Sequence, residues 1–270
     1  MEHTSNPPFL SIVVPAYNEE KRIGESLKGI CHYLAENPYT YEILVVDDGS
    51  KDKTLEICRA FAENGPPLRV VRYPVNRGKG FAVRTGMMEA AGENLLLCDA
   101  DLATPMEELD RFLDYRNEGF DIVIASRPLK ESHLVRHQPL YREWAGRAFN
   151  HVVRTFAVRD IHDTQCGFKL FSREAARSIF PICLLDGFSF DIEVLHIAQR
   201  LGFRIKEAPV HWYHMAGSKV HFVRDGFLML LDVFRIAFAH RRLQGAAQAS
   251  AAQASIPDRR DIPIRRDKPK

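Results

Sequence analysis

The stretch Leu95-Leu96-Leu97-Cys98-Asp99-Ala100-Asp101-Leu102-Ala103-Thr104-Pro105 ends an apolar run of strand length on two carboxylates one residue apart. In extended chain the side chains at i and i+2 point to the same side, so Asp99 and Asp101 face one ligand if strand geometry persists past Cys98. Two such oxygen donors suit a hard divalent cation such as Mg²⁺, which completes its shell with water and the phosphates of a nucleotide. Taken alone, the triplet is explained more simply as a polar turn that closes a buried strand.

Working outward, strand-like apolar runs alternate with segments of helical period. Strands are expected at 9-14, 41-47, 68-73, 94-99 and 120-125. Between them Ile23, Leu27, Ile30 and Leu34 recur at helical spacing, as do Leu55, Cys58, Phe61 and Ala62, and both sets predict core-facing helices. This alternation predicts an α/β fold with a mostly parallel central sheet flanked by helices. In such sheets the ligand sits beyond the carboxyl ends of the strands. The residues found there are Pro15-Ala16-Tyr17-Asn18-Glu19-Glu20, Asp47-Asp48-Gly49-Ser50, the Asp-Ala-Asp triplet and Ser126-Arg127. Each has a plain structural explanation: Asn18 as a helix N-cap, Asp48-Gly49 as a turn, Arg127 as a solvated loop charge. Their convergence on one crevice is what points to a nucleotide site. The segment Asn76-Arg77-Gly78-Lys79-Gly80 precedes a helical pattern and is not a Walker loop. Its glycines either let backbone approach a phosphate while Lys79 supplies charge, or simply form a flexible turn.

Composition narrows the class. The 270 residues are 46% hydrophobic and 27% charged, which is ordinary for a globular chain. A formal net charge of +2 gives no argument for a nucleic-acid partner. The cysteines Cys31, Cys58, Cys98, Cys166 and Cys183 are odd in number and form no C-x-x-C, so neither a disulfide framework nor a zinc cage is indicated and a reducing compartment fits. Met1 to Pro8 is polar and carries no apolar signal-peptide core. Nowhere do about 18 uncharged apolar residues run together, so the chain is expected not to cross a bilayer, although it can lie on one. The expected organisation is a disordered N-terminus over 1-8, a catalytic domain over 9-221, an amphipathic helix over 222-243 and a disordered basic tail over 244-270.

The motifs VVPAYNEE, VVDDGSKDKT, NRGKG and CDADLATP, in that order, resemble the nucleotide-sugar half of the inverting family-two glycosyltransferases with the GT-A fold. Asp163-Thr164-Gln165-Cys166-Gly167-Phe168-Lys169-Leu170-Phe171, with Phe190-Asp191-Ile192-Glu193 and Gly217-Ser218-Lys219, resembles the dolichyl-phosphate β-glucosyltransferases, cousins of the dolichyl-phosphate mannosyltransferases. The resemblance covers residues 9 to about 241 and leaves out the tail. It also leaves out the amino-terminal membrane helix of the eukaryotic members, which leaves the mode of membrane attachment open.

By that resemblance Pro15, Tyr17 and Glu19 line a uridine pocket, Asp47 bonds the uracil edge, and Lys79 lies close to the nucleotide. Asp99 and Asp101 bind ribose and metal, Mg²⁺ or Mn²⁺, and the ion neutralises charge growing on the UDP leaving group. Arg127 and Arg142 fall at the positions of the family's acceptor-phosphate arginines; Arg136, Arg147 and Lys219 are further candidates for that phosphate, explained at least equally well as surface charges. Asp163, Gln165 and Asp191 suit the hydroxyls of a hexose. Related enzymes with hydroxyl acceptors keep their base at the position of Asp191, which is given a positioning role here. A polyprenyl phosphate, with a second pKa near about 6, is already anionic at neutral pH and needs no general base. His211, His214 and His221 form no H-E-x-x-H arrangement, so interfacial or packing roles are expected.

Residues 222-242, FVRDGFLMLLDVFRIAFAHRR, gather Arg224, Asp225, Asp232, Arg235 and Arg242 into one polar arc and leave a broad apolar surface. Such a helix either lies in the headgroup region or docks on the catalytic domain or a second subunit. Beyond it, Arg259, Arg260, Arg265, Arg266, Lys268 and Lys270 lie among prolines in a tail suited to anionic lipid. The expected activity is transfer of glucose from UDP-glucose to a polyprenyl phosphate by a peripheral enzyme at the cytoplasmic face of a membrane. The alternatives are another donor, GDP-mannose or UDP-GlcNAc, a soluble hydroxyl acceptor with Asp191 as base, or a non-catalytic nucleotide-sugar-binding protein. A homo-oligomer is left open.

Overall fold

The computed structural model describes residues 6–134, 152–213 and 222–243. In chain order the elements are β1 (Leu10–Ala16), α1 (Ile23–Glu36), β2 (Tyr41–Asp47), α2 (Thr54–Asn64), β3 (Leu68–Arg72), α3 (Lys79–Glu89), β4 (Asn94–Cys98), α4 (Glu108–Asn117) and β5 (Ile122–Ala125). They continue with β6 (His133–Leu134), β7 (Phe168–Ser172), α5 (Arg173–Ile179), α6 (Phe190–Leu201), β8 (Ile205–Ala208), β9 (His211–Trp212) and α7 (Phe222–Ala239). One seven-stranded sheet has the order β3-β2-β1-β4-β7-β5-β8, and β6 pairs with β9 in a small separate sheet.

Every pairing in the large sheet is parallel except at β7, which runs antiparallel to both β4 and β5. The five expected strands all form. The sequence reading missed β7 because Lys169 interrupts its apolar run, yet that side chain is buried to 1% exposure inside the sheet layer. Strand β1 runs past its expected end at Val14 to Ala16. Pro15 has no N–H to donate, and it lies beyond Val13, where pairing with β4 stops.

The central strands are apolar on both sides because both faces of the sheet are covered. Along β1, Val13 belongs to one core with α3, α5, α6 and α7, while Leu10, Ile12 and Val14 belong to the other with α1, α2 and α4. Burying each such side chain contributes roughly 1.5–3 kcal/mol. Phe112 on α4 meets Phe168 on β7 edge to face at 5.1 Å, tying the antiparallel strand to its helix layer. Val233 and Ile236 of α7 are fully buried in the first core, so the C-terminal helix docks on the domain through that side.

Candidate active site

The carboxyl ends of β1, β2, β4 and β5 open onto one cavity of about 780 Å³. Pro15 lines it from within the end of β1, Tyr17 and Glu19 from beyond β1, Asp99 and Asp101 from beyond β4 and Arg127 from beyond β5, and Lys79, Gln165 and Asp191 close the remaining sides. Trp212, Phe188 and Met229 add apolar surface, the last from α7.

The first wall is a locked pair of turns. Asn18 sits in left-handed backbone at φ 51°; its N–H donates to Ser50 Oγ at 2.9 Å and its Oδ1 accepts from Lys51 N at 2.8 Å. It is therefore a turn residue rather than the helix N-cap. Glu19 holds Arg22 through two hydrogen bonds of 2.8 Å, and Arg22 Nη1 reaches to 3.6 Å from Asp101 Oδ2.

Asp48, not Asp47, faces the cavity. Asp48 Oδ1 accepts from Arg77 N at 2.7 Å, and Oδ2 accepts from Gly78 N at 2.9 Å and Asn76 Nδ2 at 2.7 Å, so this carboxylate anchors the NRGKG segment. Burial pushes its pKa up, partly offset by those backbone donors. Asp47 is fully buried behind it; Oδ1 accepts from Ser50 N at 3.1 Å and Oδ2 lies 3.3 Å from Arg72 Nε. The expectation that Asp47 meets a uracil edge is thus not what this geometry offers: strand β2 ends with its side chain turned into the protein. Gly78 takes φ 105°, and a Cβ there would lie 2.4 Å from Asp186 O, so only glycine fits at the start of α3.

Lys79 follows immediately, with Nζ 2.6 Å from Asp99 Oδ1. Burial opposes its charge, but Asp99 and then Asp191 outweigh it and hold the ammonium above its ordinary range. The Asp99 carboxylate rests on backbone: a Cβ on Gly167 would fall 1.9 Å from Oδ2, and Asp99 N donates to Gly167 O at 3.1 Å. Burial and the neighbouring Asp99 push the Asp101 pKa up. The donor set fits a cation that keeps most of its shell for water and phosphate. Among the described residues no three His, Cys, Asp or Glu groups gather into a protein cage.

Asp163 is nearly fully buried and does not line the cavity. It holds Arg127 instead, from Nε at 2.6 Å, Nη2 at 2.9 Å and the backbone N–H at 3.1 Å. Burial opposes its charge, but the guanidinium holds its pKa below the usual value. A direct sugar contact is accordingly not available to Asp163. Gln165 does reach the cavity, with Nε2 3.8 Å from Met229 Sδ. Asp191 accepts a hydrogen bond from the buried Lys169 ammonium, which also donates to Cys166 O at 2.6 Å. Burial raises the Asp191 pKa against the pull of Lys169 and Lys79. His211 is half exposed, with Nδ1 2.6 Å from Glu108 Oε1. Arg136, Arg142, Arg147, His214, Lys219 and His221 lie outside the described residues.

The sequence gives Arg22 and Met229 no site role, and it presents Asp48 and Lys169 only as members of longer motifs. Lys169 carried a signal, a lone lysine inside an apolar run; Arg22 and Met229 carried none beyond helical spacing.

The family-two glycosyl transferase model matches residues 11–180, a span that contains all of the walls from Pro15 to Gln165. The chain belongs to glycosyl transferase family 2. Within this family it is 37% identical over 244 residues to a dolichyl-phosphate beta-glucosyltransferase of Dictyostelium discoideum, covering 86% of this chain and 75% of the relative. The human dolichyl-phosphate beta-glucosyltransferase is 36% identical over 224 residues, covering 78% and 69% respectively. Among solved structures, glucosyl-3-phosphoglycerate synthase from Mycobacterium tuberculosis, in complex with Mn²⁺, UDP-glucose and glycerol 3-phosphate, superposes with a TM-score of 0.57. It is 20% identical, covering 93% of this chain and 82% of that one. The chain thus has the GT-A fold and is a glycosyltransferase. Among the described residues no helix is long and apolar enough to cross a membrane.

Proposed function

We propose that this glycosyltransferase transfers glucose from UDP-glucose to a polyprenyl phosphate of the dolichyl type, with inversion, releasing UDP. The observation that carries the reading is the similarity to dolichyl-phosphate beta-glucosyltransferases, which runs over 86% of the chain at 37% identity. Pro15, Tyr17 and Glu19 form the nucleoside wall, and Lys79 meets the diphosphate. Asp99 and Asp101 hold Mg²⁺ or Mn²⁺, which when bound withdraws charge from the diphosphate leaving group.

Arg127, which lines the same cavity as the two carboxylates, takes the acceptor phosphate, a role the family resemblance also gives to Arg142 and Lys219. Asp163 takes two of its five guanidinium N–H donors, which leaves a fork for phosphate oxygens. Asp191 is pinned by Lys169, which suits a group that orients a hexose rather than one that collects a proton. That favours a phosphate acceptor, already ionised, over a hydroxyl that needs a base.

On α7, Leu231, Phe234 and Phe238 are exposed, and Phe156 packs against Phe234 at 5.2 Å. This apolar surface, with the basic tail, supports a peripheral position at the cytoplasmic face of a membrane that holds the lipid acceptor.

A donor panel of UDP-glucose, UDP-galactose, UDP-GlcNAc and GDP-mannose, each with polyprenyl phosphate and Mg²⁺ or Mn²⁺, tests the donor. Turnover with UDP-glucose at least about tenfold above the others is expected; a preference for GDP-mannose contradicts the reading.

A further inference from the structure

The two carboxylates that end β4 each face a side-chain cation: Asp99 the Lys79 ammonium at 2.6 Å, Asp101 the Arg22 guanidinium at 3.6 Å. Together these two single charges equal the charge of one divalent ion. They are not equally easy to displace. Arg22 is clamped by both oxygens of Glu19 and touches Asp101 only at long range. Lys79 makes the short contact, and its ammonium is a compact charge on a four-carbon stem with three rotatable donors.

The two ends of that stem differ in freedom. Behind Lys79, Asp48 Oδ2 holds Gly78 N at 2.9 Å, and Gly78 packs on the Asp186 carbonyl, so the backbone is fixed. Asp99 is confined on one side as well, because its carboxylate lies so close to the Gly167 backbone that a Cβ there would fall 1.9 Å from Oδ2. The movable part is the lysine stem. It has somewhere to go: the Phe190 ring lies 5.9 Å from Nζ, and Asp191 lines the same cavity.

We propose that Lys79 stands in for the divalent cation in the donor-free protein, occupying the charge position on Asp99 until the donor diphosphate draws the ammonium away. The inference rests on the reading of Asp99 and Asp101 as cation ligands. A cation arriving alone competes with Lys79 and binds weakly. A cation arriving with a nucleoside diphosphate does not, since the phosphates give the ammonium a better partner. Cation and diphosphate therefore bind cooperatively, each tightening the other by the same factor.

The experiment measures Mn²⁺ binding to the full chain from the loss of the free-ion electron paramagnetic signal, with and without UDP and with no sugar turnover. In the unaltered protein UDP tightens Mn²⁺ binding about tenfold or more. In Lys79→Met, Mn²⁺ alone binds about tenfold tighter than to the unaltered protein, and UDP, which still lends its phosphate oxygens to the ion, tightens it by a smaller factor than in the unaltered protein. Lys79→Arg keeps the charge and the UDP dependence. Lys79→Gln is run beside Lys79→Met so that misfolding of one leaves the comparison intact, with thermal melting as the check. If both neutral variants bind Mn²⁺ no tighter than the unaltered protein while Asp101→Asn abolishes binding, the stand-in role is overturned and the cation site stands. If Asp99→Asn and Asp101→Asn leave Mn²⁺ binding unchanged, the cation site itself is overturned and the stand-in role with it.

Discussion

Arg127 and Asp163 form a two-point ion pair in which Nε and Nη2 of one meet Oδ2 and Oδ1 of the other at 2.6 and 2.9 Å. The pair joins the end of β5 to the segment that leads into β7, and it fixes the plane of a guanidinium that lines the cavity. Removing one partner of such a pair strands the other.

Asp163→Ala is therefore expected to destabilise the protein by about 3 kcal/mol, the usual cost of an orphaned buried charge. It is also expected to raise KM for the lipid phosphate more than KM for the donor. Asp163→Asn keeps part of the hydrogen bonding and falls between. Urea denaturation and steady-state kinetics check both; an unchanged acceptor KM in a folded Asp163→Ala protein contradicts the account.

Gly167→Ala places a Cβ 1.9 Å from Asp99 Oδ2, so the carboxylate must move by about an ångström. Displacements of that size at a reacting centre cost on the order of 100-fold in rate. Turnover is expected to fall by about that factor while the thermal midpoint moves little, because the strain is relieved into the cavity.

Lys169 and Asp191 are both buried, so breaking the pair is expected to be far worse than replacing it. Lys169→Met alone should cost about 3–5 kcal/mol, and adding Asp191→Leu should recover most of that loss. Denaturant unfolding of the single and double variants decides this; a double variant no more stable than the single one contradicts it.

His196 gives a pH signature. Burial lowers its pKa below 6.5, with His240 and Arg200 nearby acting in the same direction, while its hydrogen bond to Ala157 O and Glu193 oppose the shift. The unfolded chain then takes up the proton first as pH falls. This residue's stabilisation is present above its unfolded value and is lost as pH drops through the folded one. Asp48, Asp101 and Asp191, whose pKa values burial raises, act oppositely at lower pH, losing stability as pH rises through their folded values. Thermal melts from pH ~8 to ~5 should decline less steeply in His196→Gln than in the unaltered protein.

The fold was legible from the sequence wherever burial was two-sided and uninterrupted. β1, β2 and β4 read as apolar runs, and the Asp-Ala-Asp triplet at the end of one of them falls on the cavity. β7 stayed hidden because a fully buried lysine breaks its pattern, and the charge that permits this burial, Asp191, lies 22 residues away. Asp47 and Asp48 could not be told apart in advance: they are adjacent, and only the end of β2 decides which faces the ligand. Asp163 and Arg127 were both picked out, but as separate contacts. That one serves the other depends on the two segments meeting in space, 36 residues apart.

The central claim is transfer to a lipid phosphate, and partition of a labelled product measures it most directly. With radiolabelled UDP-glucose, polyprenyl phosphate and Mn²⁺, the account predicts that label enters the organic phase as a β-linked glucosyl phosphate. It also predicts that this transfer is lost in Asp99→Asn and in Arg127→Met. Label that stays wholly in water-soluble products, or that enters lipid equally well in those two variants, would contradict it.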